Sequence, residues 1–286
     1  MNPAAIPFLP DRRRAAPAAQ GPATVLLLHA SASSARQWQT LAEALQPRWR
    51  VLAPDFHGHG ERAAWRGDAP MTLADEAALG AALLAEAGGG FVVGHSYGGA
   101  VALTLASRWP ALVQGVLAYE PVLLRLLMDD AGSRDVVRDA AAIAQGLREL
   151  LRRDQDELAA RRFVDYWSGP GAWEQMPPSR RAAVVTRMPS VLRQYDTLVC
   201  EPAPLPQLAR LRLPTLLLSG ERTVRMTRQV AALLRAGLPQ AQHEVLPGLD
   251  HMSPVTRPEA FNRRVLRFLA AHAAAAAPPL PAAAAG

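Results

Sequence analysis

Residues 91–110 read FVVGHSYGGAVALTLASRWP. Phe91-Val92-Val93 is an apolar run of strand length, and the Ala/Leu-rich stretch from Ala100 has helical length and stops before Pro110. Between them, Gly94-His95-Ser96-Tyr97-Gly98, with Gly99 following, leaves room only for a sharp strand-to-helix turn. A serine at the tip of such a turn exposes its Oγ. The glycines admit the strained backbone and close helix packing, and the first N–H groups of the helix point toward the tip. The plainer alternative is a Gly-rich turn whose serine only caps the helix. The strand before and the helix after favour a nucleophile.

Outward from this turn, short apolar strands alternate with amphipathic helices. TVLLLH (24–29), RVLAPDF (50–56), VQGVLAYEP (113–121), LPTLLLSG (213–220) and HEVLPG (243–248) have the length and composition of strands. QTLAEALQPRW (39–49), MTLADEAALGAALLAEAG (71–88), TVRMTRQVAALLRAGLP (223–239) and PEAFNRRVLRFLAAH (258–272) read as helices. Thr72 is the expected N-cap of the second of these, with Asp75 and Glu76 in its first turn. The alternation predicts an α/β fold, a mostly parallel sheet covered by helices on both faces. Residues 122–210 interrupt it with helical patterns alone, and are expected to form an inserted helical cap, a lid over the site. The expected organisation is a core over 21–121 and 211–271, the cap over 122–210, and disordered tails at 1–20 and 272–286.

Of the 286 residues, 31 are basic and 25 acidic, a net charge of +6, and every basic residue is arginine. The absence of lysine excludes P-loop phosphate binding, pyridoxal Schiff bases and a lysine nucleophile. One cysteine, Cys200, excludes disulfide frameworks and multi-cysteine zinc sites. Prolines interrupt the apolar stretches at both ends, so neither a signal peptide nor a membrane span is expected, and a cytoplasmic location is. The charge excess gathers over 211–286, where Arg222, Arg225 and Arg228, then Arg263, Arg264 and Arg267, recur at helical spacing. Those faces are expected to be solvated exteriors, which makes charge a poor guide to substrate and removes the ground for a nucleic-acid partner.

The nucleophile turn in this context resembles that of the α/β-hydrolase superfamily, in particular its lidded serine hydrolases, over Thr24 to Ala270. His29-Ala30-Ser31 resembles that family's loop after the first core strand. By that resemblance the oxyanion donors are the backbone N–H groups of Ser31 and Tyr97. Ala30 stands where glycine is more usual, and nothing like an HGGG stretch is present, which argues against the bulky-ester lipases. Asp55-Phe56-His57-Gly58-His59-Gly60 resembles the family's D-x-x-G-x-G turn, whose aspartate is structural. Its H-x-H lacks the D-H continuation of a metal motif, so no metal and no cofactor is expected.

A serine needs a base at neutral pH. His251, in LPGLDHMSP after the last short strand, stands where the family places its catalytic histidine. The acid usually comes third after the glycine ending the penultimate strand, and here that position is Thr223, which is neutral. Glu120, ending the strand after the nucleophile helix, is the expected replacement. VQGVLAYEPV resembles the stretch in some haloalkane dehalogenases where a glutamate orients the histidine. The alternatives are an ion pair anchoring the cap for Glu120, or Glu221 or Asp250 as the acid. The resemblance thus implies acyl transfer through Ser96, Glu120 and His251 to a small or medium-sized, apolar ester. A thioester, a lactone or a C–C bond next to a ketone stays open. Serine at 96 argues against dehalogenase and epoxide hydrolase chemistry, which need aspartate there. A small-molecule receptor without turnover is the rival, resting on Thr223. Oligomeric state is not legible.

Overall fold

The computed structural model describes residues 22–46, 48–201 and 205–276, so the reading of 1–20 as a tail, and that of 272–286 from 277 onward, lie outside it. Six strands form one sheet in the order β2-β1-β3-β4-β5-β6, and every neighbouring pair is parallel. They are β1 Ala23–Leu28, β2 Trp49–Leu52, β3 Gly90–His95, β4 Val113–Tyr119, β5 Thr215–Gly220 and β6 Gln242–Leu246. β2 stops at Leu52, short of the expected Phe56, because Pro54 has no N–H to offer the ladder.

The helices are α1 Gln39–Leu45, α2 Leu73–Ala87, α3 Tyr97–Arg108, α4 Leu124–Met128, α5 Arg134–Leu151, α6 Asp156–Ser168, α7 Ala172–Gln175, α8 Pro178–Cys200, α9 Leu205–Leu208, α10 Arg225–Gly237, α11 Ser253–Thr256 and α12 Pro258–Ala276. The last runs through Ala276, so 272–276 is helix and not the expected start of a disordered tail, because Ala273–Ala276 are strong helix formers and the first proline comes at 278. Thr72 caps α2 as expected. Its Oγ1 accepts from Asp75 N–H at 3.2 Å, and the Asp75 carboxylate accepts from Thr72 N–H at 2.8 Å.

Side chains alternate across the sheet, although the strands read as unbroken apolar runs. Val25, Leu27, Phe91, Val93, Leu117 and Leu216 face α1 and α12, packing with Trp38, Phe261 and Phe268. Leu26, Leu28, Val92, Val116 and Leu217 face α2, α3 and α10 in a second cluster that continues into the insertion. Between β4 and β5 the described residues contain helices and no strand, and α5–α8 are the helical insertion. Thr197 Oγ1 donates to Met71 O at 3.0 Å and Leu73 N–H donates to the Glu201 carboxylate at 3.1 Å, which ties the end of α8 to the start of α2. No described helix is long and apolar enough to cross a membrane.

The chain passes from β1 to β2 on one side, then crosses back to β3 on the other. In open parallel sheets the crevice at such a switch point, outside the carboxyl ends of the strands, is where ligands bind. Ser96 sits there with φ 58° and ψ −119°, a conformation that costs about 1–3 kcal/mol for a non-glycine residue. Gly98 makes the turn possible. A Cβ on it would lie 2.2 Å from Leu28 O and 2.4 Å from His29 O, so α3 reaches β1 only because that carbon is missing. Gly98→Ala is therefore expected to lower the unfolding free energy by about 1–3 kcal/mol, read from urea midpoints. An unchanged midpoint would show that the contact has slack.

Candidate active site

The ends of β1, β3, β4, β5 and β6 each bring one part to the crevice. After β3 comes Ser96, and after β6 the loop that carries His251, a residue only 2% exposed. His251 Nε2 lies 3.0 Å from Ser96 Oγ, and its Nδ1 lies 2.6 Å from Glu120 Oε2. A carboxylate only accepts, so Nδ1 carries the proton and Nε2 turns its lone pair toward the serine hydroxyl.

Glu120 directly follows β4, with a positive φ of 45°, and is buried. Its N–H donates to Leu218 O, which pins it to β5. Gly220 N–H donates to Oε1 at 2.7 Å, and the Thr223 hydroxyl donates to Oε2 at 2.5 Å. The threonine that left the usual acid position neutral thus holds the carboxylate that reaches in from the neighbouring strand. The other two candidates are occupied elsewhere. Glu221 accepts from Gly248 N–H at 2.8 Å, and Asp250 pairs with Arg257 at 3.0 Å.

Ser31 and Tyr97 border the same cavity, of about 580 Å³, as Ser96 and His251. Tyr97 begins α3, so its N–H has no partner within the helix. Around Ser31 the loop is tied on both sides. Ala30 N–H donates to Gln37 Oε1 at 3.0 Å, Ser31 Oγ to Gln194 Oε1 at 2.6 Å, and Ala32 N–H to His59 Nε2 at 3.1 Å. Arg187 donates to Ala32 O at 3.0 Å. Among the described residues, the Ser31 N–H has no such partner. Ala32 has φ 58°, a strained value that these bonds hold in place.

The histidine loop is held from behind. His95 Nε2–H donates to His251 O at 2.8 Å, and Tyr119 Oη donates to Asp250 O at 2.7 Å. His95 Nδ1 in turn accepts from the Gln37 side chain, which joins the two loops. His95, next to the nucleophile in sequence, therefore supports the backbone of His251. The H-x-H pair is likewise engaged: His59 supports Ala32, and His57 lies 3.2 Å from the Glu76 carboxylate. Asp55 accepts from Ala35 N–H at 2.7 Å and Glu61 N–H at 3.1 Å, the structural part that its turn implied.

Several contributors are not legible in the sequence. Trp167, at the end of α6, stacks on His251 with ring centroids 4.3 Å apart and planes inclined by 30°. Gln194 and Arg187 reach the 30–32 loop from α8. Thr223 had a signal, its position third after Gly220. Trp167 stood out only as one of the aromatic residues of the insertion, and Gln194 and Arg187 had no signal, because their partners are fixed only once the insertion lies over the sheet. Trp167, Met176 and Tyr195 line the cavity, whereas Trp173 and Met188 are core. Arg222, Arg225, Arg228, Arg263 and Arg267 are exposed and Arg264 half-buried, all away from the cavity; three other arginines, Arg36, Arg180 and Arg187, line it.

Among known proteins, a family model described as "Alpha/beta hydrolase family" matches residues 25–264. The chain is 28% identical over 260 residues to a pimeloyl-[acyl-carrier protein] methyl ester esterase of Yersinia enterocolitica, covering 87% of this chain and 94% of that protein. It is 40% identical over 119 residues to lipase LipV of Mycobacterium tuberculosis, a match covering 41% of this chain and 43% of that protein. A solved hydrolase from Pseudomonas aeruginosa PA01 superposes with a TM-score of 0.71 at 24% identity, covering 88% of this chain and 91% of that one.

Burial keeps the supporting histidines neutral. It lowers His29 to about 3 and His59 to about 4, and holds His95 well below its ordinary value. In the unfolded chain they protonate near pH 6.5. Their contribution is thus complete above about pH 6.5 and is lost progressively as pH falls below it toward the lowered values. Urea midpoints are expected to fall steadily from pH 6.5 to 4.5, and His59→Gln to flatten the slope. Midpoints independent of pH in that window would contradict the assignment.

Proposed function

The chain belongs to the alpha/beta hydrolase family, and on that premise we propose that it is a serine hydrolase cleaving a small or medium-sized carboxylic ester through an acyl-enzyme. The observation that carries this reading is the hydrogen-bonded line from Glu120 through His251 to Ser96 at the wall of a cavity. In the proposed reaction Ser96 Oγ attacks the ester carbonyl while His251 Nε2 takes its proton. Negative charge builds on the carbonyl oxygen, where the N–H groups of Ser31 and Tyr97 receive it. His251 then gives its proton to the departing alkoxide, leaving an acyl-Ser96 ester. Water enters, loses a proton to His251, attacks, and releases the acid with Ser96 restored. Glu120 keeps Nδ1 protonated and balances the imidazolium charge in each half-reaction.

Residues 122–210 act in this reading as a lid. They place Trp167 on the face of His251 and give the cavity an apolar wall of Phe163, Val164, Val184 and Leu198, which suits an apolar acyl chain. Esters are favoured over thioesters, lactones and C–C bonds by the relatives, whose names are those of a methyl ester esterase and a lipase. The rival reading, a receptor without turnover, rested on the neutral Thr223. Its hydroxyl donates to Glu120, so the line lacks no carboxylate.

The test is steady-state hydrolysis of p-nitrophenyl esters of increasing chain length. Ser96→Ala is expected to abolish turnover. Glu120→Gln should lower kcat on the order of 10⁴-fold, since an amide does not stabilise the imidazolium. Glu221→Gln should stay within about twofold of wild type, because its carboxylate serves only Gly248. Full activity in Ser96→Ala would sink the proposal, and a reversal of the two glutamate variants would move the acid.

A further inference from the structure

Helix α8 presents Ser179, Arg180, Ala183, Val184 and Arg187 to the cavity, a run at intervals of three and four that is one helix face. Arg180 and Arg187 stand two turns apart on it, about 10 Å along the axis. Arg36, from the turn after β1, lines the same cavity. Among the described residues that line this cavity there is no aspartate or glutamate. Arg148, Arg161, Arg181 and Arg257 each have a carboxylate within 4 Å, whereas no described carboxylate pairs with Arg36, Arg180 or Arg187.

Burial pushes the half-buried Arg187 down from its ordinary value; Asp55 acts against this, and Arg36 adds a smaller push downward. Asp55 lies outside the cavity lining and holds Ala35 N–H and Glu61 N–H, so within the cavity itself the arginines meet no acidic side chain. Arginine forks match the geometry of an oxyanion, and unpaired positive charge at the rim of a low-dielectric pocket draws anions in.

We propose that the ester this cavity takes is amphiphilic, with an anionic group such as a carboxylate held by Arg36 and Arg180 at the rim and an apolar portion against the α6–α8 wall. The proposal rests on the hydrolase reading for its substrate and deepens it. Arg187 faces the same group but also holds Ala32, so it is left intact in the test.

Two pairs of esters are compared. Mono-p-nitrophenyl glutarate against p-nitrophenyl valerate puts the charge on the acyl side, and 4-butyryloxybenzoate against phenyl butyrate puts it on the leaving side. The quantity read is the ratio of kcat/KM, charged over neutral. In Arg36→Ala/Arg180→Ala the ratio is expected to fall about tenfold for at least one pair. It should stay put in Arg263→Ala, on the exposed face of α12, and fall in wild type as salt is raised. Ratios unmoved by the double variant and by salt in both pairs overturn the proposal.

A second arm needs no turnover. Ser96→Ala protein should bind the charged member of one pair about tenfold tighter than the neutral one, and the added arginine substitutions should erase that difference. Equal binding of both members in both pairs overturns the proposal. Absence of turnover with the binding preference intact would fail the hydrolase reading alone.

Discussion

The site is organised around one buried carboxylate. Glu120 is 1% exposed, and a charge in that position is tolerable only if its oxygens are fully engaged. Gly220, Thr223 and His251 engage them. Each partner comes from a different segment: the end of β5, the turn before α10, and the loop after β6. Satisfying one anion thereby fixes the spacing of three strand ends. The same contact sets the tautomer of His251 and with it the direction of the lone pair at Ser96.

Strain is concentrated where function would use it. Four described non-glycine residues have positive φ, and three of them, Ala32, Ser96 and Glu120, follow β1, β3 and β4 at this edge of the sheet. Such conformations cost about 1–3 kcal/mol each and survive only when neighbours over-determine them. Here the neighbours are identifiable: His59 and Arg187 for Ala32, Tyr119 O and the start of α3 for Ser96, Leu218 O and Gly220 for Glu120. The backbone is held taut by hydrogen bonds from the core on one side and from the insertion on the other.

Much of this was legible beforehand. Strands buried on both faces announce themselves as apolar runs, and the G-x-S-x-G turn needs a strand before it and a helix after it, which FVV and AVALTLASR supply. Ser96 follows from its turn, and His251 and Glu120 from the family resemblance together with chain order; the three lie in one hydrogen-bonded line. What could not be read were contacts across the insertion. Trp167 on His251 and Gln194 on Ser31 join segments far apart in sequence, and neither residue type is distinctive on a helix. Charge misled in a similar way. The excess lies on exterior helices, whereas Arg36, Arg180 and Arg187 sit in segments of nearly balanced charge and come together only when the fold brings them to one cavity whose described lining holds no acidic side chain.

The central claim is that burial of Glu120 behind His251 makes Ser96, and no other serine, a nucleophile. Intact-mass measurement and peptide mapping after exposure to a fluorophosphonate probe test it most directly, with no assumption about substrate. The account predicts a single adduct on Ser96, absent in Ser96→Ala and formed far more slowly in Glu120→Gln. Folded wild-type protein that takes no adduct, or takes it at another residue, would contradict it.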